Sequence, residues 1–163
     1  MTTNEQPMTA IDRPTPIRHP SGVTAYIHRL GLAFSPGAVI ALFLNDENLP
    51  LRHVQYEWNG LSPNGPSPRQ VFHDALDADA RFVILVQHHP TSRQGPLALQ
   101  QSQIDHASRC ALTGHLLGIH VLDYLVHTDA ETVSLLLDHR HRITDSARHL
   151  ARLQPPPDRV CLN

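Results

Sequence analysis

Two adjacent histidines, His88 and His89, are the side chains in this sequence best placed to do chemistry. They follow the apolar run Phe82-Val83-Ile84-Leu85-Val86, with Gln87 before them and Pro90 after. A run of that kind reads as a strand buried on both faces. Ligands in open α/β sheets collect beyond the carboxyl ends of strands, so an imidazole pair there can hold a metal ion such as zinc. The sequence contains 13 His, but most are scattered singly and read as solvated or hydrogen-bonded rings. His106, His115 and His120 lie on or beside a long helix and read as surface or groove residues. Cys110 and Cys161 form neither a disulfide framework nor a CxxC metal site. Arg140, Arg142, Arg148 and Arg152, with His139, His141 and His149, read as a solvated helix face.

The elements that must position these residues follow from composition and patterning. With 163 residues, 40% of them hydrophobic and 17% charged, the chain has room for one domain with a proper core. A formal net charge of -2 speaks against a generally basic nucleic-acid binder. No apolar stretch has the length of a membrane span or signal peptide, so neither membrane contact nor export is expected, and a cytoplasmic setting is. Residues 1–22 read as a flexible leader, followed by a short helical or extended piece over 25–34. Residues 38–44 form a second continuous apolar run, and 51–58 alternate, with Val54, Tyr56 and Trp58 on one side; the two read as a hairpin. Ser67 and Pro68 open a helix over 69–80, with Val71, Phe72, Ala75 and Leu76 on its buried face. A long helix over 97–117 ends at Gly118. Residues 120–126 form a third core strand, 132–137 a fourth, and Thr144 caps a terminal helix that reaches residue 153 before Pro155. Strands alternate with helices, which predicts an α/β domain with a single mixed β-sheet flanked by helices. Residues 38–44, 82–86 and 120–126 should be neighbouring central strands under the long helix.

Several of these pieces, taken in order, resemble a known family. Pro68-Arg69-Gln70-Val71-Phe72, Ala75-Leu76, Val83-Ile84-Leu85 and His89-Pro90 are similar to the RadC family's "PREVF..AL…VIL.HNHPSG". Leu117-Gly118-Ile119 and Val121-Leu122-Asp123 are similar to its "LGI.LLDH", and Thr132-Val133-Ser134-Leu135 to its closing "YVSL". The resemblance spans roughly residues 38–137 and assigns 23–137 to a JAB/MPN domain of cytidine-deaminase-like architecture, with 138–163 a C-terminal helix and tail. It implies the zinc metallopeptidase chemistry of the JAMM type, acting on peptide or isopeptide bonds. There two His and one Asp hold zinc, and water takes the open fourth position. A Glu from an early strand accepts the water's proton, and a Ser steadies the oxyanion. The family also keeps an acid where Asp123 stands inside an apolar strand; a carboxylate there needs hydrogen bonds, so a structural role is expected.

This sequence departs from the pattern at nearly every functional place. The family's His-x-His becomes Gln87-His88-His89, so His89 alone keeps a ligand place. Read without gaps, the family's Ser and Asp fall on Leu97 and Gln100, and its Glu falls where Gly37 and Ala38 stand. A loop five residues longer gives a different register. Ser102-Gln103-Ile104-Asp105 has the Ser-x-x-Asp spacing, so His88, His89 and Asp105 would hold the metal, with Ser102 at the oxyanion place. Glu57 or Glu47 would then stand in as the base. Adjacent residues at a strand end point to opposite faces, so that ligand set needs a kink. The expectation is a non-catalytic binding module without a cofactor, joined to a protein partner or to a second copy. The alternatives are an active zinc peptidase with rearranged ligands, and a DNA-repair accessory protein. For the last, longer family members carry a helix-hairpin-helix segment that the 22-residue leader reads as too short to hold.

Overall fold

A computed structural model of the protein describes residues 15–32, 37–57, 65–88, 101–128, 131–138 and 140–144. In chain order the elements are α1 (Pro20–Arg29), β1 (Val39–Leu44), β2 (Pro50–Tyr56), α2 (Pro68–Asp77), β3 (Phe82–His88), α3 (Gln101–Leu117), β4 (His120–His127), β5 (Thr132–Ser134) and α4 (Leu135–Asp138). They build one five-stranded sheet in the order β2-β1-β3-β4-β5. β1 runs antiparallel to both β2 and β3, β3 and β4 are parallel, and β5 is antiparallel to β4. The sheet is therefore mixed, and the three apolar runs are its central strands, as their composition requires.

Burial on both faces explains that composition. Every residue of β1 is buried, and its alternation sends Val39, Ala41 and Phe43 to one face and Ile40, Leu42 and Leu44 to the other. The first face, with Val83, Leu85, Tyr124 and Val126, packs against α2 and α3 through Val71, Phe72, Ala75, Ile104, Ala107 and Cys110. The second, with Ile84, Val86 and Leu125, is covered by Val23, Tyr26 and Ile27 of α1. Each fully buried aliphatic or aromatic side chain contributes about 1.5–3 kcal/mol. Two such faces on one short strand make β1 the centre of the core.

Local chemistry sets the ends of the elements. Ser67 and Gln70 form a reciprocal capping box at the start of α2, where Gln70 N–H donates to Ser67 Oγ at 3.2 Å and Ser67 N–H to Gln70 Oε1 at 3.2 Å. Gly118, at φ 71°, closes α3 while Ile119 N–H donates back to the Gly114 carbonyl at 2.9 Å. Asn45 Oδ1 accepts from the N–H groups of Glu47 (3.0 Å) and Leu49 (2.9 Å) and folds the β1–β2 turn.

Four sequence expectations need correction. The leader boundary at residue 22 falls inside α1; Ile17 is already buried, and its N–H donates to the Asn48 carbonyl at 2.9 Å. Residues 17–22 therefore belong to the cover of the second face, while residues 1–14 lie outside the described residues. Leu76 is 59% exposed. It stands about 40° beyond Phe72 around α2, outside the arc that Val71, Phe72 and Ala75 fill. The strand expected over 132–137 stops at Ser134, because Ser134 caps α4. Its Oγ accepts from Leu137 N–H at 3.0 Å, and its own N–H donates to Asp138 Oδ2 at 3.2 Å. Thr144 does not cap a helix but lies in a helical turn over 140–144, donating to the Arg140 carbonyl at 2.9 Å. Trp58, the 97–100 part of the long helix and everything after residue 144 lie outside the described residues. Among the described residues, no helix is long and apolar enough to cross a membrane.

Candidate functional site

β3 ends in Gln87 and His88, and the alternation of the strand sends them to opposite faces. Gln87 shares the α3 side with Val83 and Leu85 and is 4% exposed. Its Oε1 accepts from Gln103 Nε2 on α3 at 3.2 Å and lies 3.3 Å from Tyr124 Oη on β4. The same Tyr124 Oη is 3.0 Å from His106 Nδ1, and His106 Nε2 is 2.7 Å from the Pro66 carbonyl. Gln103, His106 and Tyr124 are all buried, so a polar chain runs through the interface of sheet and helix at the carboxyl end of β3. Gly65, at φ 55°, lets its loop close over the chain; a Cβ there would lie 3.2 Å from His106 Cε1.

The tautomer of His106 follows from its partners. A carbonyl only accepts, so Nε2 carries the hydrogen. Burial holds the imidazole down at about 4, with the Pro66 bond opposing and Arg109 adding to the effect. The ring is thus neutral at pH 7, and its bare Nδ1 takes the single hydroxyl hydrogen of Tyr124. Gln87 Oε1, 3.3 Å from Tyr124 Oη, is the more distant acceptor around that hydroxyl. Burial also pushes the Tyr124 phenol well up and the Cys110 thiol up to about 12, so neither supplies an anion here.

His88 lies on the α1 side with Ile84 and Val86, its ring 6.1 Å from that of His127. His127 Nδ1 is 2.8 Å from Thr132 Oγ1. On α3, Asp105 accepts from Gln101 Nε2 at 2.9 Å and stands about 200° around the helix from Gln103. The sheet separates His88 from α3, and Asp105 turns away from the sheet, so the structure does not bring these two residues together. Ser102 is half-buried on the same first turn. Glu57 is exposed just past β2; the rung Tyr56–Val39–Gln87 puts it at the right end of the sheet but two strands, about 10 Å, from β3. Glu47 is exposed in the β1–β2 turn, at the opposite end. His89, Leu97 and Gln100 lie outside the described residues.

Gly37 and Ala38 occupy the place expected for the base. Gly37 N–H donates to the His88 carbonyl at 3.2 Å, and His88 N–H to the Ala38 carbonyl at 3.1 Å. This place is therefore beside the end of β3, but Gly37 has no side chain and a φ of 80°, which disfavours any replacement. Asp123 behaves as expected of a structural acid: Oδ1 accepts from Ser134 Oγ and Tyr124 N–H, each at 2.7 Å. Burial raises its carboxyl, and these bonds pull it back. Among the described residues, His73, Asp74 and Asp77 are the group with enough close donors for a metal. They lie on the surface of α2, and Asp74 already accepts from Tyr56 Oη at 2.6 Å.

The described donors at the end of β3 do not fit zinc. Two carboxamides, a phenol and a neutral imidazole bring no negative charge, and structural or catalytic zinc sites rely on imidazole, thiolate and carboxylate. Three members of this chain, Gln103, His106 and Tyr124, escaped sequence reasoning, and His106 is buried where a surface or groove residue was expected. The signal was present: Gln103, Ile104, His106, Ala107 and Cys110 recur at helical spacing and mark one buried face.

The RadC-like JAB domain family model matches residues 17–143. The chain is 32% identical over 117 residues to a UPF0758 protein of Geotalea uraniireducens (strain Rf4), covering 72% of this chain and 50% of that one. It is 34% identical over 97 residues to a UPF0758 protein of Pelobacter propionicus (strain DSM 2379 / NBRC 103807 / OttBd1), covering 60% and 41%. A third, from Geobacillus sp. (strain WCH70), is 29% identical over 119 residues, covering 73% and 51%. The chain thus spans about half the length of the curated relatives it matches. With the mixed sheet, its helical cover and a match over most of its length, the chain belongs to the RadC-like JAB domain family.

Proposed function

We propose that the chain works as a non-catalytic JAB module, which keeps the fold and binds a protein, either a partner or a second copy, without cutting a peptide or isopeptide bond. One observation carries this reading. The β3 position from which the first zinc ligand is expected bears a buried carboxamide, already bonded by Gln103 and close to Tyr124. Hydrolysis of this type needs a metal that brings the pKa of its bound water to about 7, and a base to take the proton. Gln87 supports neither requirement, and Gly37 and Ala38 offer no base. Nucleic acid is not the proposed partner, since a net charge of -2 gives no general attraction to phosphate. The reading keeps the cytoplasmic setting expected from the sequence.

Metal content and hydrolysis, measured on the same sample, test this. The purified chain is expected to carry far less than one zinc per molecule and to leave linear and isopeptide-linked substrates uncut with zinc added. A stoichiometric zinc lost on His89→Ala, together with zinc-dependent cleavage, would overturn the reading in favour of the active peptidase.

A further inference from the structure

We infer that residue 103 is the α3 position that faces the first ligand place, and that the Gln87–Gln103 amide pair fills the room of a metal ion with a neutral hydrogen-bonded unit. This rests on the non-catalytic reading and adds to it a register and a physical cause.

The first argument is geometric. Zinc holds nitrogen and oxygen ligands at about 2.0–2.2 Å, so two ligands on one tetrahedral ion lie roughly 3.4 Å apart. The two carboxamides approach to 3.2 Å. The backbones of β3 and α3 therefore already hold side chains 87 and 103 at the separation two ligands of one ion require. With the amides in direct contact, no ion fits between them. Asp105, two residues on, is bonded to Gln101, and the ungapped register would draw its ligand from a position three residues before Gln103.

The second argument is electrostatic. Gln87, Gln103, Tyr124 and His106 are buried and neutral. A dication entering among them would lose its water and meet no counter-charge, a penalty that these neutral groups do not offset. The chain's polarity adds to this. Neutral His106 takes the Tyr124 hydrogen and Gln87 Oε1 already accepts from Gln103 Nε2, so the amide oxygen that could meet a cation is engaged. Tyr124 and His106 act as positioning residues for that amide.

The test compares tag-free variants purified with and without zinc. Gln87→His/Gln103→Asp and its longer-armed counterpart Gln87→His/Gln103→Glu are set beside Gln87→His/Gln100→Asp and Gln87→His alone. At least one 103 variant should hold about one zinc, melt higher with zinc than with EDTA, and give the intense visible absorption of tetrahedral cobalt when cobalt replaces zinc. Its affinity should exceed that of the 100 variant and of the single variant by at least about tenfold, the scale on which metal-site partners count. Equal binding by the 100 variant or by Gln87→His alone would overturn the register. So would two 103 variants that fold, by circular dichroism, yet bind no metal. Cleavage of substrate by the unmodified chain would instead sink the non-catalytic reading, so the two failures are read on different samples.

Discussion

At the scale of single residues, His106 ties the site to stability. Its ring is neutral in the folded protein, with its pKa held down from an ordinary 6.5 to about 4. Between those values the unfolded chain binds more protons than the folded one, so stability rises with pH across the window. The contribution is fully present above about 6.5 and is lost as pH falls toward 4. A shift of this size corresponds to as much as about 3 kcal/mol at 1.36 kcal/mol per unit. Asp123 works the other way: its raised carboxyl favours the folded state at low pH, near the acid end of the same window. Urea melts from pH 7 to pH 4.5 should therefore show a steady loss of stability, and His106→Gln should flatten it. An unmodified chain whose midpoint does not move over that range would mean that His106 is not buried as a neutral ring.

At the scale of elements, the crossing of α2 and α3 sets how closely Gln103 approaches the sheet. Gly114 faces α2 at this crossing: a Cβ there would lie 2.8 Å from Phe72 Cζ and would press on the Ile119 carbonyl. The backbone oxygen cannot swing aside, so Gly114→Ala should push α3 outward and cost about 1–3 kcal/mol, despite alanine's better helix propensity. Chemical denaturation should show that loss; a variant as stable as its parent would mean that the crossing has slack. Elements of this kind were only partly legible in the sequence. The runs 38–44, 82–86 and 120–126 announced central strands because burial on both faces leaves little choice of side chain. Ser67-Pro68 announced α2 because capping is local. The end of β5 was not legible, since Ser134 caps α4 by reaching a carboxylate four residues on, in a stretch that reads equally well as strand. The covering role of Ile17 was hidden for a similar reason, because one apolar residue among Pro, Thr and Arg has no periodicity to show. At the site, the departure from the His-x-His of the resembled family was plain at Gln87. The α3 partner was not, because its register depends on a loop whose length the sequence gives but whose path it does not.

For the whole molecule, the question is what holds the layers together at the carboxyl end of β3, where a zinc peptidase of this type would be tied by its metal. Here the hydrogen-bonded chain from Gln103 through Gln87 and Tyr124 to His106 and Pro66 links α3, β3, β4 and the loop before α2. A buried polar network stabilises only when its members are satisfied, and this one closes at the Pro66 carbonyl. If that chain takes the structural place of the ion, the fold owes nothing to metal. A ligand that binds the native state alone stabilises it by about 2.7 kcal/mol at a hundred times its dissociation constant. For a domain of this size, each kcal/mol moves the melting temperature by about 2–4 °C. Tight zinc would thus show as a drop of several degrees when EDTA is added, and fresh zinc would reverse it. The expected result for the unmodified chain is a melting temperature that changes by less than about 1 °C with EDTA or with micromolar zinc, as read by scanning calorimetry. A large, zinc-reversible drop would show that an ion does tie these layers together. The ligands would then have to come from the histidine pair His88-His89, with the amide pair opened to admit the ion.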